Sequence, residues 1–196
     1  MKSLWYALSA LFLCGCGYHF EGTGQQAARS SISVPYITSD PEGNLNNALA
    51  REISRSGVYT YQANGGDLTL QVQFISDGSE KVGWRYDRDD TSGELRHNLV
   101  GTENRRVVTV QVTLTDTATG EACFEPFNIT AAADYDYVDP SSLRDLSFIR
   151  DGHRIKVINF SMGQLDSVEG GHDDASTPVF RHLAQKIVDA VISQQW

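Results

Sequence analysis

Cysteine is scarce in this 196-residue chain: three residues, too few for a disulfide scaffold and wrongly spaced for a zinc site. Basic residues are scarce too. Sixteen Lys and Arg stand against 25 Asp and Glu, a formal charge of -9. That balance excludes a non-specific nucleic-acid binder, which needs a basic surface to meet phosphate. With 5 Pro, 21% charged and 10% aromatic residues, the composition is not that of a disordered chain. No apolar run near the N-terminus approaches the roughly twenty residues that cross a bilayer as a helix. What remains is an acidic globular protein, long enough for one compact domain or at most two small ones, with a real core.

The N-terminus reads as an address and an anchor. Met1-Lys2-Ser3 is a positively charged start, and Leu4 to Leu13 is apolar apart from Ser9. About ten apolar residues suit a secretory signal core. Leu13-Cys14-Gly15-Cys16 follows. It resembles the lipobox of bacterial lipoproteins, where the cysteine sulfur is lipidated, the signal is removed and the new amino group is acylated. Cys14 is the rival acceptor, but it follows Leu13, whereas Cys16 follows the small Gly15. Cys16 is therefore the expected lipidation site, and its covalent lipid is the only attached group expected. A thioether diacylglycerol plus an N-acyl chain such as palmitate satisfies the need of stable anchoring for more than one chain. Gly17, rather than Asp, after the acceptor resembles enteric sorting to the outer membrane. The expected division is residues 1–15 as signal peptide, 16–31 as lipidated cysteine and tether, and 32–196 as a single domain.

Periodicity supplies the fold. Ile32, Val34 and Tyr36 alternate as a short strand, kept to an edge or paired only at its start by Pro35. Asn44 is the expected N-cap of a helix with Leu45, Ala48, Leu49, Glu52 and Ile53 at helical spacing, closed by Gly57. Leu68, Leu70, Val72 and Phe74 alternate as a half-buried strand, and after an Asp77-Gly78 kink Val82, Trp84 and Tyr86 resume the pattern. Val108, Val110, Val112 and Leu114 mirror it, so the two should pair as a long antiparallel hairpin with a polar tip between Asp87 and Asn98. A turn at residues 116–120 leads to a further strand from Ala122 to about Tyr137, interrupted at Pro126. Residues 140–176 carry no clear pattern. Thr177-Pro178 is the expected start of a last helix, with an apolar stripe from Phe180 to Val191. The order strand-helix-strand-strand-strand-helix gives an α+β class: a four-stranded, mostly antiparallel sheet with two helices packed on one face.

Cys16-Gly17-Tyr18-His19-Phe20, Ile32-Ser33-Val34-Pro35-Tyr36, the helix from Leu45 to Ile53 and Asp67-Leu68-Thr69-Leu70 together resemble the LPS-assembly lipoprotein family (LptE-like). The resemblance implies two helices on a four-stranded sheet. It also implies an outer-membrane lipoprotein that plugs the LptD β-barrel, helps it assemble and helps lipopolysaccharide pass to the outer leaflet. The implied partners are that barrel, the membrane through the lipid anchor, and lipopolysaccharide. No catalysis is implied. The family's basic lipopolysaccharide contacts match no position here, and residues 140–176 depart from its pattern.

No catalytic constellation is present: there is no Gly-x-Ser-x-Gly elbow and no His-Glu-x-x-His, so the chain is not expected to be an enzyme. Asp87, Asp89 and Asp90 hint at a calcium loop, but the glycine is misplaced and the closing glutamate missing, so a solvated hairpin tip is the better reading. His172-Asp173-Asp174, with His153 as a partner, reads as an exposed acidic loop ahead of a helix rather than a metal site. Cys123 is left as a lone thiol, expected to be buried in the sheet. Arg105, Arg106, Arg144, Arg150, Arg154 and Lys156 are the candidates for contact with lipid headgroups or phosphates, because guanidinium forks bind phosphate oxygens in pairs. The bland alternative is a self-compensated surface. Tyr135, Tyr137, Phe148 and Phe160 flank that cluster as candidate partner-binding aromatics.

The competing reading is a periplasmic tethered adaptor that regulates or scaffolds a cell-wall synthase. Such an adaptor needs a long tether. The stretch between Cys16 and Ile32 reaches only about 20 Å as a flexible coil, which keeps the domain at the membrane.

Overall fold

A computed structural model describes residues 30–89, 92, 94–139, 147–156 and 167–194. Cys14, Cys16, Asp90, Arg144 and Phe160 lie outside the described residues.

Strand β1 (Ser31–Ser33) enters the middle of the domain fully buried. It ends two residues before Pro35, whose ring removes a ladder donor. Helix α1 (Asn44–Ser56) buries Leu45, Leu49 and Ile53 on one stripe. Asn44 is its first helical residue and not its cap. The capping carboxylate belongs to Asp40, which is buried and accepts from the N–H groups of Asn44, Leu45 and Asn46 at 2.9, 2.8 and 3.1 Å. Gly43 makes this geometry accessible with φ 71°, and Gly57 closes the helix at φ 70°.

After α1 the chain returns as β2 (Thr60–Gln62), parallel to β1. β3 (Leu68–Arg88) lies on the other side of β1, also parallel to it, and pairs antiparallel with β4 (Leu95–Asp116). β5 (Phe127–Asp136) completes a sheet of order β2-β1-β3-β4-β5. The α+β class holds, with a correction to the sheet: five strands, mixed rather than mostly antiparallel. β2 is the added strand. It is three residues long and largely exposed, so it leaves no alternating run to read.

The hairpin register agrees with the mirror pattern: Leu70 faces Leu114, Val72 faces Val112 and Phe74 faces Val110. The Asp77-Gly78 pair does not break the strand. The irregularity sits at Ile75, where the register shifts between Phe74 and Ser76, and further shifts follow between Lys81 and Trp84. Such bulges bend a strand and exchange its faces while pairing continues. The strand expected from Ala122 reduces to a single bridge, Ala122 to Thr115, before β5 begins after Pro126.

β6 (Ser147–Arg150) and β7 (His153–Lys156) form a separate two-stranded hairpin, turning through Asp151 and Gly152 at φ 52° and 76°. A short helix α2 (Val168–Asp174) is capped by Ser167, whose hydroxyl accepts from the Gly170 N–H at 3.0 Å. Ala175 links it to α3 (Ser176–Ser193). The expected acidic loop at 172–174 is therefore helical. Pro178 falls in the first turn of α3, where a missing N–H leaves nothing unbonded.

Ile32, Leu68, Leu70, Val108, Val110, Val112 and Leu114 on the sheet meet Leu45, Leu49 and Ile53 of α1 and Val179 to Val191 of α3 in one core. Both long helices therefore cover the same face, as the stripes predicted. The opposite face presents Thr69, Gln71, Gln73, Thr109, Gln111 and Thr113. No described helix is long and apolar enough to cross a membrane.

Candidate functional site: an overhanging hairpin

The two long strands outrun their neighbours. β1 pairs with β3 only at Leu68 and Thr69, and β5 pairs with β4 only from Glu103 to Val112. Beyond Glu103 the hairpin continues as a two-stranded ribbon to its turn near Asp89 and Glu94, where the Asp89 N–H donates to the Glu94 carbonyl at 2.8 Å. Such a ribbon has no third layer and is marginal by itself.

Its side chains are not those of an idle loop. Trp84, Tyr86, Leu95 and Leu99 are 54%, 56%, 58% and 58% exposed. Tyr86 is paired directly with Leu99, and Leu95 faces Arg88 one step nearer the turn. Single exposed apolar residues are ordinary, but four gathered on one ribbon mark a contact surface. Aromatic rings of this kind are enriched at protein interfaces. Arg96 lies across Asp89 at 2.9 Å and Asp87 at 3.8 Å, so two of the acids expected at a solvated hairpin tip are balanced by a cation.

The ribbon is held at its base. Tyr135 and Tyr137 at the end of β5 stand 6.5 Å apart, with Ala175 completing a second small core. Tyr135 is bonded to both strands: its hydroxyl accepts from Asn104 Nδ2 at 3.2 Å and lies 3.1 Å from Ser79 Oγ. The Tyr137 N–H donates to the Thr102 carbonyl at 3.1 Å. Burial and the nearby Asp139 push the Tyr137 phenol above its ordinary pKa. Gly171 of α2 packs so closely that a Cβ there would lie 2.7 Å from the Tyr135 ring.

Arg106 completes the brace. Its guanidinium is buried and donates to both Asp77 carboxylate oxygens at 2.9 and 2.6 Å, to the His172 carbonyl at 3.1 Å and to Ser176 Oγ at 2.5 Å. It also lies 5.3 Å from the centroid of the Phe180 ring. Four elements meet on this one side chain, which leaves no free fork for a lipid phosphate.

Arg105 points to the opposite face and forks onto Asp134 at 2.6 and 2.9 Å, and this pairing holds the Asp134 carboxyl below its usual range and the guanidinium above its own. Arg150 is exposed on β6, 4.0 Å from Asp151. Arg154 and Lys156 stand on β7, and their side chains, like that of Phe148, fall outside the described residues. Arg105 and Arg106 thus stand on opposite faces of the sheet, and Arg144 lies outside the described residues. Parity could have separated the first two: Arg106 shares the phase of Val108, Val110 and Val112, while Arg105 does not.

Cys123 is exposed, contrary to the buried thiol expected, because it lies in the turn after β4 rather than within a strand. Its N–H donates to the Leu114 carbonyl at 2.8 Å. Partial burial and Asp116 raise its thiol pKa, which disfavours the reactive thiolate. His172 is stacked edge-on against Tyr135 at 6.2 Å. No group of three or more His, Cys, Asp or Glu among the described residues is placed to hold a metal.

No family model matches the sequence, and no curated protein does. Several solved structures resemble the fold. A minor lipoprotein of Acinetobacter baumannii aligns over 85% of this chain and 93% of its own, at 14% identity and a TM-score of 0.44. A lipoprotein of Caulobacter crescentus aligns over 86% and 93%, at 14% identity and 0.45. Rare lipoprotein B of Shewanella oneidensis aligns over 84% and 96%, at 16% identity and 0.39.

Proposed function

We propose that this chain is an outer-membrane lipoprotein, anchored through Cys16, that serves as plug and assembly partner of an LptD-like β-barrel in lipopolysaccharide transport. The observation that carries a binding role, rather than a catalytic one, is the braced ribbon with Trp84, Tyr86, Leu95 and Leu99 in solvent. A solvent-facing ribbon loses free energy by exposing such rings, and a protein partner recovers it by covering them. The lipobox resemblance and the short tether support a partner at the membrane. The residue pattern from Cys16 to Leu70 supports the choice of barrel.

Lipopolysaccharide contact has less to rest on. Arg106 is consumed by the fold and Arg105 by Asp134, so a carrier role through those two is not part of the proposal.

The test is purification of the lipidated protein from its native membranes, with identification of what co-elutes. Recovery of a large outer-membrane barrel, lost on Trp84→Ala/Tyr86→Ala, is the expected result. Recovery of cell-wall synthases without any barrel would overturn the assignment in favour of a periplasmic adaptor.

A further inference from the structure

β3 keeps an open edge beyond the point where β1 stops. The Thr117 N–H donates to the Asp67 carbonyl at 2.9 Å, so in the register of the hairpin Asp67, Thr69, Gln71 and Gln73 turn their main chains towards β4. Leu68, Leu70, Val72 and Phe74 turn theirs the other way. β1 serves only the beginning of that row, since it pairs at Leu68 and Thr69 and goes no further. The next donor in line, for the Leu70 carbonyl, is residue 35, a proline with no N–H. Among the described residues the Leu70 carbonyl, both main-chain groups of Val72 and the Phe74 N–H are therefore left without a hydrogen bond. Such an edge is a template for another chain, and proteins ordinarily blunt it with charge or proline. From Leu68 to Ser76 β3 carries neither.

A cleft of about 410 Å³ runs along this edge. Its β3 wall is four consecutive residues, Gln71 to Phe74, whereas a site on one face of the sheet would take alternate ones. The facing wall is the loop of residues 35–39. That loop has its own groups engaged elsewhere: the Pro35 carbonyl accepts from Asn46 Nδ2 at 3.1 Å and the Ile37 carbonyl from the Asp40 N–H at 2.9 Å. Over the roughly 13 Å that four strand residues span, such a volume is on the order of 5 Å across, one strand spacing. No charged side chain among the described residues lines it, and Tyr36 stands beside it 70% exposed.

We propose that this cleft binds an extended, uncharged segment of a partner protein, which adds to the sheet as a strand beside β3. Donors and acceptors repeating every second residue from Leu70 to Phe74 match the main chain of a strand. Gln71 and Gln73 favour amide or hydroxyl side chains on the outer face of the occupant. A second copy of this chain does not fit: two-fold pairing of β3 edges would bring two 35–39 loops into a gap one strand wide. Its other edges are poor donors too, for β2 is three residues long and the Thr130 carbonyl of β5 is taken by Lys186 Nζ at 2.8 Å. The chain preceding β1 enters at the opposite end of the row, where the Ser31 N–H donates to Asp67. The site is separate from the Trp84 ribbon and needs neither the barrel nor the anchor.

The chain from Gly17 onward retains every core residue between Ile32 and Val191 and lacks the lipid acceptor. The probe is the acetylated, amidated peptide Val-Thr-Val-Gln-Val-Thr-Leu, the sequence of residues 108–114, which already pairs along the other edge of β3. In the free chain the Val72 and Phe74 amides should exchange hydrogen about a hundredfold faster than those of Gln71 and Gln73, and saturating peptide should slow them about tenfold. Val72→Pro deletes an edge donor and no bond to β4, so it should keep the circular dichroism of the parent and weaken peptide binding about tenfold. Tyr36→Ala, outside the core, should weaken it about threefold with the fold unchanged. The peptide N-methylated at every residue should not bind. No binding of the unmethylated peptide, or equal binding of its methylated form, overturns the proposal. Val72 and Phe74 amides already protected in the free monomer would assign the edge to a segment of this chain and overturn it. Protection that rises with protein concentration, together with a dimer in sedimentation, would assign it to a second copy and overturn it equally.

Discussion

The guanidinium of Arg106 and the carboxylate of Asp77 lie in parallel, joined by two hydrogen bonds across neighbouring strands at the foot of the ribbon. Arg106 is 8% exposed and Asp77 29%, so water reaches the acid but hardly the base. The same guanidinium holds the α2–α3 junction through His172 and Ser176. One buried cation thus decides how the ribbon meets the helical layer.

Removing that cation should be costly. Arg106→Ala is expected to destabilise the domain by about 2–4 kcal/mol, below the upper range for a fully buried pair because Asp77 keeps some solvent. Arg106→Lys should recover only part of this, since an ammonium cannot fork. Urea denaturation of both variants checks the order; equal stability of Arg106→Ala and the parent would dismiss the brace.

Packing at Gly171 makes a second prediction. Gly171→Ala brings a methyl to 2.7 Å from the Tyr135 ring and 2.9 Å from the Asp136 carbonyl. Overpacking here should lower stability by about 1–3 kcal/mol despite alanine's better helix propensity. A rise in Tm on this change would show that the junction is loose.

Acid should loosen the entry end. Asp67 accepts from the Ser31 N–H and hydroxyl at 2.8 and 2.7 Å, and these bonds lower its pKa. A depressed carboxylate contributes stability above its unfolded pKa, and the contribution is lost as pH falls through the folded value. Asp116 and Asp134 are shifted the same way, so Tm should fall on acidification below the ordinary carboxylate range. Asp67→Asn should fall less steeply than the parent over that window. Parallel Tm–pH curves would remove Asp67 from the account.

The cap of α1 is testable in the same way. Asp40→Ala deletes three accepted hydrogen bonds at a buried site and should cost about 1–2 kcal/mol, whereas Asn44→Ala should cost little. Thermal melts of the two variants rank them; the reverse order would restore Asn44 as the cap.

The core was written plainly in the sequence because its period is regular. Leu68 to Phe74 and Val108 to Leu114 alternate without interruption, and the α3 stripe repeats cleanly, so pairing and helix side both follow. Legibility ends where tertiary context takes over. β2 is held by pairing with β1 and not by its own three residues. The bulge at Ile75 exchanges the faces of β3, so Asp77, in the outward phase of Gln71 and Gln73, reaches Arg106 on the core side, which period two cannot foresee. Asp40 caps α1 from four residues before Asn44, outside the usual cap position. The cleft beside β3 is walled by a loop more than thirty residues earlier in the chain, and no local spacing announces that.

The length of β3 has a mechanical consequence. Leu68 is paired with Ile32 at the entry end, and Trp84 stands sixteen residues further along the same strand. At about 3.3 Å per residue the separation is roughly 50 Å. The strand therefore acts as a spar: a load taken at the Trp84 end is delivered as torque to the Arg106 brace at Asp77, seven residues or roughly 23 Å down the strand.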